Sequence, residues 1–222
     1  APAGGIWKSI DGGLSYVALS DDLPQIGVSS IAIDYTNPNI IYIATGDDDA
    51  GDSYSVGVWK STNAGASWIQ TGLNPDNSPS RIYELEIHKT DPNILWAATN
   101  GGLLKTSDGG NSWTLSQNGA FQGIKQKPGD SSTVYAITTS DFYKSTNEGD
   151  SFVLESSFGR NFVSSRMVLD VTPANPELVY LLVSDNNYGF EGIYRSSDSG
   201  NAFVKMDNTT DIYESNQAWF DL

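Results

Sequence analysis

The 222-residue sequence contains no cysteine and a single histidine, His88. Without cysteine, disulfide bonds cannot stabilise the fold and thiol chemistry is excluded. His88 has no histidine or cysteine neighbours that could share a zinc ion, and no serine-nucleophile motif lies beside it. We therefore interpret His88 as an ordinary surface residue. Long apolar runs are also absent, so the sequence predicts no membrane-spanning segment.

Basic side chains are scarce. Lysine and arginine number 12 against 27 aspartate and glutamate residues, which gives a net charge of −15. This balance argues against nucleic acid as a partner, because binding to phosphates requires basic patches. The excess of negative charge also argues against docking on anionic lipid and against direct membrane insertion. The composition favours a soluble extracellular protein that binds cations or neutral glycans, although a solvated acidic surface explains it equally well.

Five similar segments recur along the chain. They read GIWKSIDGGLSY (5–16), GVWKSTNAGASW (57–68), GLLKTSDGGNSW (102–113), DFYKSTNEGDSF (141–152) and GIYRSSDSGNAF (192–203). Their acidic or amide positions are Asp11, Asn63, Asp108, Asn147 and Asp198, which are 52, 45, 39 and 51 residues apart. A period of about 40–50 residues is typical of four-stranded β-propeller blades.

A second element recurs between these segments. It places a turn with proline or aspartate before an apolar, β-branched run, as in DYTNPNIIYIAT (34–45) and HKTDPNILWAAT (88–99). Each unit then consists of four antiparallel strands, which we label A to D. Complete units are predicted at about 29–73, 82–117, 121–156 and 165–207. Residues 1–20 supply strands C and D of an earlier unit, and residues 213–222 begin a later one.

The predicted fold is therefore all-β: a single β-propeller segment over residues 1–222, with about four full blades and two partial ones. Because the chain opens and stops within a blade, and starts at Ala1 without a methionine, we expect it to be part of a longer chain.

The frame Ser/Thr-x-Asp-x-Gly-x-x-Trp resembles the Asp-box, also called the bacterial neuraminidase repeat. This repeat occurs in sialidases, sortilin-like propellers and xyloglucan-cleaving propeller hydrolases. The resemblance covers nearly the whole chain and implies a secreted or cell-surface bacterial protein. Asn63 and Asn147 depart from the aspartate, and Tyr16, Phe152 and Phe203 depart from the tryptophan.

We predict a structural role for the box residues. Aspartate and asparagine both accept hydrogen bonds from backbone amides of their own turn, whereas a catalytic carboxylate would not tolerate asparagine. The box glycines are expected at positive φ, and the closing aromatic is expected to bury its ring. The predicted structural residues are Ser9, Asp11, Gly13, Ser61, Asn63, Gly65, Trp68, Thr106, Asp108, Gly110, Trp113, Ser145, Asn147, Gly149, Phe152, Ser196, Asp198, Gly200 and Phe203.

The loops at the opposite end of each blade are the predicted functional surface. The A–B turns and boxes share one face, so the B–C and D–A loops, which vary in length, share the other. The predicted binding residues on these loops are Asp47, Asp49, Asp52, Tyr54, Phe158, Tyr188 and Phe190. The aspartates either bind Ca²⁺, the one cofactor that the sequence suggests, or form a solvated loop. The aromatic rings either stack on sugars or fold back over their loops.

The evidence for catalysis is weaker. Glycoside hydrolysis requires two carboxyl groups, and the xyloglucan-cleaving hydrolases carry an aspartate in a short B–C corner resembling TDVGG. The matching corner here is TNGG with Asn100, which leaves Asp47 and Asp185 as candidates. Sialidases bind the carboxylate of their sugar with three arginines. This sequence has only four arginines in all, so it gives little support to a sialidase.

The sequence therefore favours a non-catalytic propeller that binds a glycan or protein ligand. The first alternative is a glycoside hydrolase that acts on a polysaccharide. The second is a structural module of a large surface or secretion assembly.

Overall fold

A computed structural model of the protein describes residues 4–47, 53–74, 76, 79–155 and 165–206. These residues form strands and turns and contain no helix. Accordingly, no described helix could cross a membrane. The chain divides into two compact units, Ala1–Leu115 and Ser116–Leu222.

Unit 1 contains one two-stranded sheet and two four-stranded antiparallel sheets. The two-stranded sheet pairs β1 (Trp7–Lys8) with β2 (Val17–Ala18). Sheet 1 contains β3 (Val28–Ile33), β4 (Ile41–Thr45), β5 (Val58–Ser61) and β6 (Ile69–Gln70). Sheet 2 contains β7 (Ile82–Ile87), β8 (Leu95–Thr99), β9 (Gly102–Thr106) and β10 (Thr114–Gln117), the last of which crosses the unit boundary.

Unit 2 contains two further four-stranded sheets, each with its strands in chain order. Sheet 3 contains β11 (Gly123–Gln126), β12 (Val134–Ile137), β13 (Phe142–Ser145) and β14 (Val153–Leu154). Sheet 4 contains β15 (Met167–Val171), β16 (Val179–Ser184), β17 (Phe190–Ser196) and β18 (Val204–Lys205).

Burial explains the composition of the strands. The B strands β8 and β12 are buried along their whole length, so both faces are apolar or small. The D strands β6, β14 and β18 are exposed and short. In unit 1 the core lies between sheets 1 and 2, and in unit 2 it lies between sheets 3 and 4. The all-β fold class and the four-stranded antiparallel sheets predicted from the repeats are confirmed.

Two predictions are corrected. His88 is buried rather than on the surface. Its Nδ1 accepts hydrogen bonds from the amides of Thr90 (3.2 Å) and Asp91 (2.9 Å), so it caps the A–B turn. Asp34 does the same in sheet 1, where its carboxylate accepts the Thr36 amide at 2.7 Å. An unprotonated imidazole nitrogen can therefore replace a carboxylate oxygen in this turn.

Phe190 is the second correction, because it lies in a strand rather than in a loop. It begins β17 and pairs with Ser184 beyond a bulge at Val183 and Ser184. The bulge extends the B–C pairing and shortens the loop to residues 185–189. The predicted strand at 213–222 lies outside the described residues, and the boundaries of the single propeller segment remain predictions.

Candidate functional site

The box turns are closed by their own side chains. In sheet 2, Thr106 donates its hydroxyl to Asp108 Oδ1 at 2.8 Å and accepts the Gly110 amide at 3.0 Å. Asp108 also accepts the Ser112 amide (2.9 Å) and hydroxyl (2.6 Å). The Ser112 hydroxyl and amide, followed by the Thr106 hydroxyl, lower the pKa of Asp108 to about 2. This carboxyl remains charged and is held within its own turn.

Asparagine makes the same turn. Asn63 Oδ1 accepts the Ser67 amide and the Ser61 hydroxyl, both at 2.9 Å, and its Nδ2 donates to the Ser67 hydroxyl at 2.9 Å. The Asp108 and Asn63 side chains make matching bonds except at the serine hydroxyl, which donates to Asp108 from Ser112 and accepts from Asn63 at Ser67. The box glycines have φ between 78° and 91°, a region that disfavours side chains with a Cβ.

The box of each four-stranded sheet is also fixed to the A–B turn of that sheet. The residue before the box glycine donates its amide to a carbonyl of that turn. The four bonds are Ala64 to Asn39 (2.9 Å), Gly109 to Asn93 (2.9 Å), Glu148 to Ser132 (2.7 Å) and Ser199 to Glu177 (3.0 Å). All four donors have positive φ, three of them without being glycine. These bonds place the boxes and the A–B turns at the same end of their sheets.

Within unit 1 the boxes also contact the preceding sheet. Lys60 Nζ and the Tyr42 hydroxyl each donate to the Gly109 carbonyl at 3.1 Å. Lys8 Nζ donates to the Ala64 carbonyl at 3.1 Å, and Trp68 Nε1 donates to the Leu19 carbonyl at 2.7 Å. These side chains are engaged in structural bonds, which makes the box end a poor candidate for a functional site.

The loop end of unit 1 is the better candidate. Asp47 follows β4, is only 4% exposed, and donates its amide to the Ser53 carbonyl at 3.0 Å. The returning chain crosses Gly46 closely: a Cβ there would lie 2.8 Å from the Ser55 amide nitrogen. Tyr54 lies on the same loop with its ring exposed. This loop therefore brings a buried carboxyl group and an exposed aromatic ring together.

The neighbouring D–A loop and B–C corner complete this surface. The Ser55 amide donates to the Ser80 carbonyl at 3.1 Å. Asn100 donates Nδ2 to the Ser80 hydroxyl at 2.9 Å, and its Oδ1 accepts the Arg81 amide at 3.2 Å. Asn100, at the TNGG corner, thus connects two loops through its amide group and supplies no carboxyl group.

Two buried threonines at the base of this surface were not predicted. Thr45 and Thr99 end their B strands, and each donates its hydroxyl at 2.7 Å across the corner, to the carbonyls of Gly57 and Gly102 respectively. In the sequence, the threonine that ends both B strands, IYIAT (41–45) and LWAAT (95–99), is the signal that could have identified them. A hydroxyl at the end of an apolar strand is suited to closing a tight corner.

In unit 2 the corresponding loop is closed by Asp185. Its Oδ1 accepts the amides of Asn187 (2.7 Å) and Gly189 (2.8 Å), so the carboxylate caps its own loop. Tyr188 is exposed at φ 63°, and Phe190 is half-buried in β17. Of the predicted binding residues, the structure thus groups Asp47 with Tyr54 and Tyr188 with Phe190.

Asp49, Asp52 and Phe158 lie outside the described residues. Among the described residues, no group of three histidine, cysteine, aspartate or glutamate side chains could hold a metal ion. The calcium site at Asp47, Asp49 and Asp52 remains a prediction.

Two bacterial xyloglucanases are similar to this chain in sequence. The xyloglucanase of Paenibacillus sp is 24% identical over 173 residues, which cover 78% of this chain and 17% of the relative. Xyloglucanase Xgh74A of Acetivibrio thermocellus is 29% identical over 189 residues, which cover 81% of this chain and 20% of the relative. The chain thus spans a fifth or less of these relatives. No protein-family model matches the chain.

Solved structures share its fold. The GH74 enzyme of Niastella koreensis has a TM-score of 0.67 at 19% identity, over 92% of this chain and 34% of that chain. An ancestral GH74 enzyme has a TM-score of 0.63 at 23% identity, over 94% of this chain and 26% of that chain. The described part of the chain is therefore all-β, with the four-stranded antiparallel sheets of β-propeller blades, and the chain has xyloglucanase relatives.

Proposed function

We propose that this chain is part of a glycoside hydrolase that cleaves a xyloglucan-type polysaccharide. The observation that carries the proposal is the similarity to two xyloglucanases over about four fifths of the chain. This similarity favours the hydrolase alternative over the non-catalytic binding propeller that the sequence alone favoured.

The substrate is proposed to bind at the loop end of the blades. The box end is occupied by structural hydrogen bonds, whereas the loop end of unit 1 presents the exposed ring of Tyr54 near the corner of Asn100. An aromatic ring beside polar groups is suited to stacking on a sugar. We further propose that the five turns are Asp-boxes and that the protein acts outside the cell, where a polymeric glycan would be met.

Asp47 is the carboxyl group that this segment is proposed to contribute to hydrolysis. It is buried at the end of a core strand, which holds its position, and it adjoins the exposed loop. Asp185 is proposed as structural because its carboxylate caps its own loop. The second carboxyl group that hydrolysis requires is assigned to the remainder of the enzyme.

The test is an assay of reducing ends released from xyloglucan by the full-length protein and two matched variants. We expect Asp47→Asn to lower kcat by at least about 100-fold, the usual contribution of a general acid or base. Asp185→Asn should retain kcat within a few fold, because an amide oxygen still accepts the Asn187 and Gly189 amides. Circular dichroism confirms that both variants are folded.

Wild-type hydrolysis by Asp47→Asn would contradict the role of Asp47. Absence of hydrolysis by the full-length protein, together with saturable binding of xyloglucan, would support a second candidate function: glycan binding without cleavage. The specific observation in favour of that candidate is Asn100, whose amide group is engaged with Ser80 and Arg81 at the corner where the hydrolases carry aspartate.

A further inference from the structure

The sequence contains two pairs of asparagine followed by glycine, at positions 100–101 and 118–119. Asparagine before glycine is the arrangement most prone to spontaneous deamidation. The backbone nitrogen of the glycine attacks the preceding side chain, and the absence of a Cβ on glycine leaves its approach unhindered. All four residues are exposed, so contact with water does not distinguish the two pairs. Their hydrogen bonds differ completely.

At Asn100 the atoms that would react are held in hydrogen bonds. Its Oδ1 accepts the Arg81 amide at 3.2 Å, and its Nδ2 donates to the Ser80 hydroxyl at 2.9 Å. The Gly101 amide, whose nitrogen would have to attack, donates to the Thr99 hydroxyl at 3.1 Å. The side chain must leave these partners and turn towards the Gly101 nitrogen before a ring can close. Deamidation here therefore requires the corner to open first.

The second pair is not held in this way. Among the described residues, no hydrogen bond engages the Asn118 side chain or the Gly119 amide. The pair lies in the D–A connection between β10, which ends at Gln117, and β11. The connection is anchored again at Phe121, whose ring is buried. The exposed residues 118–120 thus lie between two fixed points, and nothing in the described structure restrains the Asn118 side chain.

We propose that Asn118 is a site of spontaneous deamidation in the folded protein and that the corner protects Asn100 from the same reaction. The Gly119 nitrogen loses its proton to a solvent base and attacks Asn118 Cγ. The new N–Cγ bond forms, the Cγ–Nδ2 bond breaks, and ammonia leaves with a proton from water. Water then opens the cyclic imide at either carbonyl, which gives aspartate or isoaspartate at position 118.

The reaction adds a carboxylate to the loop end of a sheet. Each product carries one more negative charge than the −15 of the unmodified chain. The fold tolerates the change, because Asn118 and Gly119 are exposed and contribute no hydrogen bond to the described structure. The corner at Asn100, in contrast, keeps its amide. The proposal does not rest on the proposed hydrolysis.

The test is peptide mapping of the chain after incubation at mildly alkaline pH. Trypsin separates the two pairs, because cleavage after Lys89, Lys105 and Lys125 gives the peptides 90–105 and 106–125. Deamidation exchanges an amide for a heavier acid group, which mass spectrometry detects, and chromatography separates the aspartate and isoaspartate forms. The same incubation in concentrated urea, which removes the hydrogen bonds of the corner, is the matched control.

In the folded protein we expect Asn118 to deamidate at least about tenfold faster than Asn100, because opening the corner breaks stabilising hydrogen bonds. In urea the two rates should agree within about threefold, since the protection of Asn100 depends on the folded corner. The variant Asn118→Gln should form no product in peptide 106–125, because glutamine closes the larger ring far more slowly. Its exposed position leaves the fold intact.

Three results would overturn the proposal. Equal rates at the two asparagines in the folded protein would mean that the corner gives no protection. An unmodified Asn118 in folded protein that deamidates in urea would mean that the D–A connection is held after all. Product that persists in the Asn118→Gln variant would assign the reaction to Asn111, the other asparagine of peptide 106–125.

Discussion

At the scale of single residues, the box aspartate functions as an acceptor. Asp108 accepts the Ser112 amide and both hydroxyls of its turn. We expect Asp108→Ala to lower the free energy of unfolding by about 1 kcal/mol, as for a lost cap. Asp108→Asn should cost little, because Asn63 makes the same turn in sheet 1. Urea unfolding measures both, and equal losses would contradict the acceptor role.

The same carboxylate makes stability depend on acid. The folded pKa of Asp108 is about 2, below its ordinary value of 3.8. A depressed pKa contributes stability that is present above pH 3.8 and is lost as the pH falls towards 2. We expect Asp108→Asn to lose less stability than wild type between these pH values. If the urea midpoints of the two proteins changed equally with pH across this range, the prediction would be contradicted.

His88 provides a residue-scale prediction that depends on the structure. Its Nδ1 accepts the Thr90 and Asp91 amides beneath the A–B turn. We expect His88→Ala to lower the free energy of unfolding by about 1 kcal/mol, because the Thr90 and Asp91 amides lose their acceptor. His88→Asp, which places the residue of the equivalent Asp34 turn here, should retain more stability. Thermal unfolding compares the variants, and a smaller loss in the alanine variant would be the opposite result.

At the scale of the box hairpin, two closing tryptophans differ in one hydrogen bond. Trp68 Nε1 donates to the Leu19 carbonyl at 2.7 Å, whereas the buried Trp113 Nε1 has no hydrogen-bond partner. Trp68→Phe should therefore cost about 1 kcal/mol more than Trp113→Phe, since only the first change breaks a bond. Chemical denaturation of both variants tests this prediction. Equal losses in the free energy of unfolding would show that ring packing, and not the hydrogen bond, accounts for the contribution of each tryptophan.

At the scale of the whole molecule, net charge is expected to affect stability. With a charge of −15, the folded chain repels itself at low ionic strength. Raising NaCl from about 10 to about 150 mM shortens the Debye length from about 30 to about 8 Å. The thermal midpoint should therefore rise, and a fall would show that ion pairs such as Lys127–Glu177 dominate.

The predicted calcium site can be tested in the same way. A higher thermal midpoint in CaCl₂ than in MgCl₂ at equal ionic strength would support that site.

The sequence by itself determined the fold class, because its causes are local and repeated. Each repeat combines a turn acceptor, a glycine at positive φ and an apolar strand, and it forms its hairpin from neighbouring residues. The five turn acceptors are Asp11, Asn63, Asp108, Asn147 and Asp198. The structural role of the box followed from its asparagine variants, since an amide accepts the same bonds but cannot transfer a proton.

Only the tertiary structure decided which repeated positions are buried and which polar groups are engaged. Nothing local distinguishes Ile33 from Ile87, yet one is exposed and the other is covered by the preceding sheet. His88 resembled a surface residue until its turn placed two amides on Nδ1, and Asn100 gained its role from Ser80 and Arg81 in a loop some twenty residues away. Burial and pairing depend on segments far apart in the chain, which a local pattern does not encode.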